Sequence, residues 1–164
     1  MITQEKLKET FDYKDGEFYT KESRGRLKAG FKAGCKTKRG YIAIRIDGKP
    51  YLAHRLVWLY HHGYMPPMID HIDNNKTNNH ITNLRIATAS QNQHNRIKNK
   101  NNTTGVKGLS IAKVKYKDIF YTYWRAAILN DGISTVKTFH SRSKAVAFLK
   151  KARPEIHGEY ARFK

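Results

Sequence analysis

The sequence predicts a modular α+β protein built from short strands and a few helices. Alternating apolar residues at 41–46 run into Asp47-Gly48, which is a strong signal for a β-hairpin turn. The apolar period then changes from two to helical over residues 52–62. A polar segment at 99–104 precedes a second strand-rich region. With 164 residues, of which 39% are hydrophobic, the chain can build small cores but not one large core.

Residues 1–50 are expected to form a strand-rich accessory region whose role the sequence leaves open. A short helix is predicted to begin at Thr3, and Asp15-Gly16 predicts a hairpin turn. The amphipathic helix that follows this region is expected to end at Gly63, because glycine adopts the left-handed C-cap conformation without strain.

The segment from Met68 onward predicts the order strand, loop, strand, helix. The two strands are placed at 68–72 and 83–88, on either side of an asparagine-rich loop. Ser90 and Gln93 have the spacing of a capping box, so the helix is expected to begin there and to run to about Lys98.

The C-terminal region predicts three strands backed by one helix, which is about the smallest unit that closes a core. The last two strands are joined by a tight turn at 130–132. The helix is expected to be capped by Ser141 or Ser143 and to end before Pro154, since proline disrupts a helix interior. The strands are predicted at 106–113, 120–129 and 133–139.

The charge balance indicates a polyanionic partner. The chain has 32 Lys and Arg against 13 Asp and Glu, a formal net charge of +19, and a sequence pI near 10.1. Residues 74–117 contain no acidic side chain at all, which favours a surface that lies along phosphates. No apolar run is long enough to span a membrane, no signal peptide is apparent, and the single cysteine, Cys35, excludes an intrachain disulfide. A cytoplasmic location is therefore expected.

Cleavage of a phosphodiester needs a base that activates water and a cation that neutralises charge on the phosphate. Histidine suits the first role near neutral pH, and carboxylate or amide oxygens suit a hard divalent cation. His71 and Asp70 lie next to each other on the first predicted strand, so a regular strand would point their side chains to opposite faces. Asn92 is expected in the first turn of the following helix.

This pattern resembles the HNH nuclease motif of phage and intron homing endonucleases, which have a ββα-metal fold. The resemblance implies that His71 is the general base, that Asp70 and Asn92 bind one divalent metal, and that Asn83 ties the two strands together. With asparagine at the third motif position, it implies Mg²⁺ or Mn²⁺. It extends back through residues 53–58, where His54 is interpreted as a structural or phosphate-contacting residue. The matching segments are Asp70-His71-Ile72-Asp73-Asn74-Asn75-Lys76, Asn79, Asn83-Leu84-Arg85 and Ser90-Gln91-Asn92.

A second resemblance covers residues 104–164, which are similar to AP2 DNA-binding domains. In that family the sheet enters the major groove and presents Arg and Trp to bases and phosphates. The corresponding positions here often hold lysine, which weakens bidentate guanine recognition. The segments that carry the similarity are Thr104-Gly105-Val106-Lys107-Gly108, Tyr123-Trp124-Arg125-Ala126, Thr138-Phe139 and His157-Gly158-Glu159-Tyr160-Ala161.

Together these patterns predict a metal-dependent DNA endonuclease of the homing type. Residues 51–99 would be the nuclease domain and 104–164 the AP2-like DNA-binding domain. Its partner would be double-stranded DNA, without a membrane or a small-molecule substrate, and the protein would be a monomer. The DNA-binding candidates are Lys76, Arg85, Arg96, Lys98, Lys107, Lys113, Trp124, Arg125 and Lys137.

Three alternatives stay open at the sequence level. A non-catalytic DNA-binding regulator would keep the same charge but use the motif only as a scaffold. An RNA-directed protein would share the basic surface, because the charge argument does not distinguish nucleic acids. A basic membrane-surface protein would need a basic amphipathic helix, which the sequence lacks.

Overall fold

The computed structural model describes residues 2–23 and 28–163, which divide into two compact units, Met1–Ala87 and Thr88–Lys164. Within this described part, four α-helices and four small antiparallel sheets give a mixed architecture compatible with the expected α+β class. None of the helices in these ranges is long and apolar enough to cross a bilayer.

The first unit begins with a helix and two small sheets and ends with the paired strands of the motif. Sheet order is β1-β2, then β3-β4-β5, then β6-β7, and all pairs are antiparallel. The elements are α1 (Gln4–Thr10), β1 (Phe11–Lys14), β2 (Glu17–Thr20), β3 (Cys35–Lys36), β4 (Ile42–Ile46), β5 (Lys49–Leu52), α2 (Ala53–His62), β6 (Ile69–His71), a 3₁₀ turn (Ile81–Asn83) and β7 (Leu84–Ile86).

The local signals of the first unit are confirmed. The Thr3 side chain accepts a hydrogen bond from the Lys6 N–H at the start of α1. Asp15 and Asp47 both adopt positive φ at their hairpin turns, at 50° and 48°. Helix α2 ends at Gly63 in the left-handed conformation, as its C-cap pattern predicts.

One hydrophobic core joins the N-terminal region to the motif strands. Leu7 of α1, Phe18 of β2 and Ile44 of β4 pack in the same buried cluster as α2, β6 and β7. Helix α2 contributes most, because its apolar residues recur at helical spacing and four consecutive side chains, Leu56 to Leu59, are buried. The N-terminal region is thus part of the packing that supports the motif strands.

The second unit is a three-stranded sheet of order β10-β9-β8 covered by one long helix. Its core consists of Leu109, Ala126 and Ile128 from the sheet against Ala145 and Leu149 of the helix. The elements are α3 (Ala89–Asn95), β8 (Leu109–Tyr116), β9 (Ile119–Asn130), β10 (Ile133–Phe139), α4 (Arg142–His157) and a 3₁₀ turn (Gly158–Tyr160).

The boundaries of helix α3 differ from the prediction. The capping box is formed by Thr88 and Gln91, not by Ser90 and Gln93, and the helix ends at Asn95. Both pairs have the required spacing, so the sequence pattern alone could not separate them. The earlier pair is used because β7 ends at Ile86, which leaves Thr88 extended as the first available cap.

Helix α4 continues past Pro154, where the sequence predicted its end. Ser141 is its N-cap residue, although no side-chain cap hydrogen bond forms. Proline removes only one helical N–H, and the last turn is held independently because His157 Nε2 hydrogen-bonds the Leu129 carbonyl oxygen at 2.9 Å. Gly158, at φ 53°, then ends the helix.

Candidate active site

The predicted motif strands pair as expected, with Asp70 directly opposite Arg85 and His71 opposite Leu84. All three residues of β6 are buried, although consecutive side chains of a strand point to opposite faces. Both faces of this short strand are therefore covered, and Asp70 and His71 each have their own set of partners.

Asp70 forms an ion pair with Arg85 across the strands. The Nε and Nη2 atoms of Arg85 lie 3.1 and 3.0 Å from Asp70 Oδ2, and the two side chains are only 5% and 12% exposed. A carboxylate in this setting requires a cationic partner, because a buried charge without one is very costly. The guanidinium predicted as a DNA contact therefore hydrogen-bonds the carboxylate predicted as a metal ligand.

The His71 imidazole is oriented by Asn79. His71 Nε2 lies 3.0 Å from Asn79 Oδ1, and both residues are buried. An amide oxygen can only accept a hydrogen bond, so Nε2 carries the proton of the neutral ring. In that tautomer Nδ1 is the nitrogen with the lone pair, which is the property a general base requires.

His54 and Tyr41 surround the His71 ring. The centroids of His54 and His71 are 5.0 Å apart with an edge-to-face angle of 72°, and Tyr41 contacts both rings at 5.4 and 6.1 Å. Burial, followed by the neighbouring charges of His71 and Arg55, lowers the pKa of His54 to about 3. His54 is thus a neutral packing partner at physiological pH, which agrees with its structural interpretation.

Asn83 and Asp73 organise the loop between the motif strands. Asn83 Nδ2 donates to Asp73 Oδ1 at 2.9 Å and to the Asn78 carbonyl at 2.8 Å, while its Oδ1 accepts from the Asp73 N–H at 3.1 Å. Burial alone would raise the pKa of Asp73, but hydrogen bonds from Asn78, Asn83 and the Asn75 N–H outweigh it and lower the pKa. The loop is held by hydrogen bonds that converge on the Asp73 carboxylate.

Asn92 lies at the middle of α3, in the second unit, and is half-buried. Among residues 2–23 and 28–163, no cluster of three His, Cys, Asp or Glu side chains could hold a metal ion. Asp70 and Asn92 each offer the type of oxygen donor that hard divalent cations prefer, and their role as metal ligands stays a prediction.

No sequence pattern indicates the partners of the two motif side chains on β6. The motif includes Asn79 without assigning it a role, yet it binds His71, and Arg85 is predicted as a DNA contact, yet it binds Asp70. Tyr41 was missed altogether. Its position in an alternating strand is indistinguishable from that of any half-buried aromatic residue.

Most of the other predicted DNA-binding cations are exposed, though some make local contacts. Arg96 lies just beyond α3 and is exposed. Lys98 Nζ donates to the Gly105 carbonyl at 3.2 Å, and Lys76 Nζ donates to the Arg39 carbonyl at 3.0 Å while lying 4.7 Å from the Tyr41 ring centroid.

The two faces of the C-terminal sheet differ in a way the sequence did not predict. Trp124 and Lys137 share the face of Ala126, which packs against α4, and Lys113 follows the same face along β8. The side chain of Arg125, paired with Ser110 and Thr138, belongs to the opposite, open face.

Lys107 has the most unusual environment of the predicted cations. Its ammonium donates to the carbonyls of His94 at 2.6 Å, Arg96 at 2.8 Å and Gln93 at 3.4 Å, at the C-terminal end of α3. Burial, with added repulsion from Arg153, lowers the pKa of Lys107 to about 8. This lysine is an internal contact of the second unit.

Comparisons with known proteins agree with the motif. The family model described as HNH endonuclease matches residues 51–94, which include α2, β6, β7 and most of α3. The chain is 36% identical over 115 residues to Protein 3.8 of Escherichia phage T7, covering 68% of this chain and 88% of that protein. No solved structure matches significantly.

A second relative is the Uncharacterized HNH endonuclease L560 of Acanthamoeba polyphaga mimivirus. It is 33% identical over 128 residues, which cover 76% of this chain and 62% of the viral protein, so the chain spans less than two thirds of that relative. Both relatives are viral proteins. From the family match and the relative named as an HNH endonuclease, the chain contains an HNH endonuclease domain at residues 51–94 and is a DNA nuclease.

Proposed function

We propose that the protein hydrolyses a phosphodiester of double-stranded DNA with His71 as general base and one divalent metal. The observation that supports this best is the hydrogen bond from His71 Nε2 to Asn79 Oδ1. This contact favours the tautomer in which Nε2 carries the proton and Nδ1 keeps the lone pair that a general base needs, and the ring is buried.

The metal would be held by a carboxylate oxygen of Asp70 and an amide oxygen of Asn92, with Mg²⁺ or Mn²⁺ as the expected ion. When bound, such a cation supplies positive charge for the developing charge on the phosphate and the leaving oxygen. Arg85 keeps the Asp70 carboxylate oriented through its contacts to Oδ2. Asn83 acts indirectly, because its amide closes the loop around Asp73.

In the proposed reaction, His71 accepts a proton from the attacking water, and the water oxygen forms a bond to phosphorus. The bond from phosphorus to the 3′ oxygen breaks, and this oxygen takes up a proton from solvent. The products are a 5′-phosphate and a 3′-hydroxyl end, as the resemblance to homing endonucleases implies. Removal of the base should cost about 10²–10⁴ in rate.

The second unit would position the DNA, as its resemblance to AP2 domains suggests. Arg125 on the open sheet face and the exposed Arg96 are the best-placed cations of that unit. A phage or mobile-element homing role, a monomeric state and a location in the host cytoplasm complete this proposal, supported by the motif type and the viral relatives.

The test is cleavage of supercoiled plasmid and of genomic DNA from the source, with Mg²⁺, with Mn²⁺ and with EDTA. Wild type is expected to nick or linearise DNA only with metal, and His71→Ala should lose cleavage while still binding DNA in EDTA. Full activity of His71→Ala would remove the general-base assignment. Cleavage that is unaffected by EDTA would remove the metal.

Asn92→Ala and Asp70→Ala complete the test. Each should raise the Mn²⁺ concentration needed for half-maximal cleavage, because each removes one oxygen ligand. Unchanged metal titrations in both variants would exclude them as ligands. Duplex RNA of matched length, added as a competitor, should compete less well than DNA if the nuclease is directed at DNA.

A further inference from the structure

Helix α3, which presents Asn92, is only seven residues long, from Ala89 to Asn95. A helix of this length is not stable by itself in water, so its position depends on what holds its two ends. The N-terminal end is closed by the Thr88 and Gln91 capping box. At the C-terminal end, the last carbonyl groups need donors from elsewhere in the unit.

The ammonium of Lys107 meets that need. Its contacts of 2.6 and 2.8 Å to His94 O and Arg96 O are short and charge-assisted, with Gln93 O as a third acceptor at 3.4 Å. A cation at this end of a helix is also favoured by the helix dipole. These contacts join segments 11 to 14 residues apart, so they hold the helix to the sheet-and-helix part of the unit.

The backbone of Lys107 is itself fixed. Arg153, which is 2% exposed, donates from Nη2 to the Lys107 carbonyl at 2.6 Å and from Nη1 to the Arg162 carbonyl at 3.1 Å. Gly108 adopts φ +73°, and a Cβ there would lie 2.4 Å from the Ala127 carbonyl oxygen. Lys107 is therefore anchored at its backbone and at its ammonium, which is not the setting of a mobile phosphate contact.

Two further contacts support the same helix. The rings of His94 and His157 stack with centroids 3.7 Å apart and planes within 5°. The Asp131 N–H donates to Ser90 Oγ at 3.4 Å. The helix thus rests on α4 and on the β9–β10 turn, while the Lys107 ammonium reaches its final carbonyls.

We propose that Lys107 is a positioning residue of the nuclease, whose ammonium fixes the C-terminal end of α3 and thereby the placement of Asn92. This inference rests on the proposed role of Asn92. Lys107 would then act through α3, within its own unit, and not as a direct contact to phosphate.

The experiment compares Lys107→Met, which keeps the length of the side chain but removes the charge and its donors, with Lys107→Arg. Lys151→Met is the matched control, because it removes one charge from an exposed position of α4. Three quantities are measured in each full-length variant: amide hydrogen exchange of residues 89–96 without metal or DNA, the half-saturating Mn²⁺ concentration for cleavage, and DNA affinity in EDTA.

Lys107→Met should increase exchange in α3 and raise the half-saturating Mn²⁺ concentration, each by about 10-fold, which is the factor for the loss of one charge-assisted hydrogen bond. DNA affinity in EDTA should stay at the wild-type value. In Lys107→Arg, exchange in α3 and the half-saturating Mn²⁺ concentration should stay close to the wild-type values. Lys151→Met should change neither quantity. If Lys107→Met does not fold, Lys107→Gln, which keeps a neutral donor, replaces it.

The proposal is overturned if Lys107→Met shows wild-type exchange in α3 and wild-type metal dependence, or if its main effect is weaker DNA binding in EDTA. Asn92→Ala separates this result from a failure of the proposed function. If Asn92→Ala leaves the Mn²⁺ titration unchanged, the metal role of Asn92 is wrong, and the exchange data alone then decide whether Lys107 holds the helix.

Discussion

At the scale of single residues, the site is defined by which polar atoms have partners. His71 and Asp70 are both buried, and each is oriented by a side chain from outside β6, Asn79 and Arg85. His54 differs from these two residues, because its buried Nδ1 atom has no hydrogen-bond partner in the described part of the chain. A buried imidazole nitrogen without a partner costs free energy, and a protonated ring in its place would cost more.

His54→Phe tests this cost through the pH dependence of stability. The folded-state pKa of about 3 lies below the unfolded value of about 6.5, so the unfolded state binds the proton first and stability is lost as pH falls through this window. His54→Phe should reduce that loss, by at most about 1.4 kcal/mol per pH unit. Urea denaturation at pH 7, 6 and 5 measures it.

The matched control is His140→Phe, because His140 is an exposed histidine. It removes one histidine without touching the buried rings around His71, so it separates the loss of a histidine from the loss of the buried one. An equal pH dependence in wild type and His54→Phe would mean that the unfolded and folded proteins protonate His54 alike, which would contradict the burial argument.

At the scale of elements, the β1–β2 hairpin supports the motif loop. Tyr13 Oη accepts a hydrogen bond from the Ile81 N–H at 3.2 Å, and Gly16 at the hairpin turn lies against the backbone of Asn79 and His80. The sequence predicts an accessory region at residues 1–50 and leaves its role open. Their contact with the loop that contains Asn79 indicates that they help to place the His71 partner.

Gly16→Ala should therefore weaken both stability and cleavage. A Cβ at Gly16 would lie 2.7 Å from the His80 nitrogen, which is backbone and cannot move aside cheaply. Gly48→Ala is a matched control, because Gly48 also turns a hairpin at positive φ but has no atom within 4 Å of the added Cβ. Both variants carry the cost of a positive φ, about 1 kcal/mol.

The difference between these two variants isolates the close approach to the loop. Gly16→Ala is expected to be less stable than Gly48→Ala by about 1–3 kcal/mol, as for overpacked sites. It should also cleave DNA more slowly at a temperature where both are folded. Thermal melting and plasmid cleavage provide the two readings. Equal melting temperatures and equal rates would show that the hairpin does not support the loop.

The elements that local chemistry determines could be predicted from the sequence, and those that depend on long-range packing could not. Asp47-Gly48 and Gly63 placed a turn and a helix end correctly, because positive φ restricts the choice of residue. The contact of His71 with Asn79 depends on the path of an eight-residue loop. The contacts of the Lys107 ammonium depend on how the segment before β8 lies against the end of α3, and neither of these two contacts leaves a periodic pattern in the sequence.

At the scale of the whole molecule, net charge indicated nucleic acid but not the surface that binds it. The open face of the C-terminal sheet includes the exposed side chains of Val114, Tyr121 and Val136. Of the cations predicted to contact DNA, Arg125 lies on this face. The face toward α4 holds Trp124 and Lys137. A positioning role for the open face therefore predicts a strong dependence on one arginine.

Arg125→Gln tests which face lies along the DNA. If Arg125 contacts a phosphate, its loss should lower DNA affinity and reduce the slope of log K against log salt by about 0.9, since one fewer counterion is released. Lys151→Gln removes the same charge from the exposed side of α4, on the other face of the sheet, and should leave the slope near the wild-type value. Binding is measured in EDTA between 50 and 200 mM salt, about the range over which such contacts dominate. Equal slopes for the two variants would mean that only the summed charge matters, and a smaller slope for Lys151→Gln alone would place the DNA against the helix instead of the sheet.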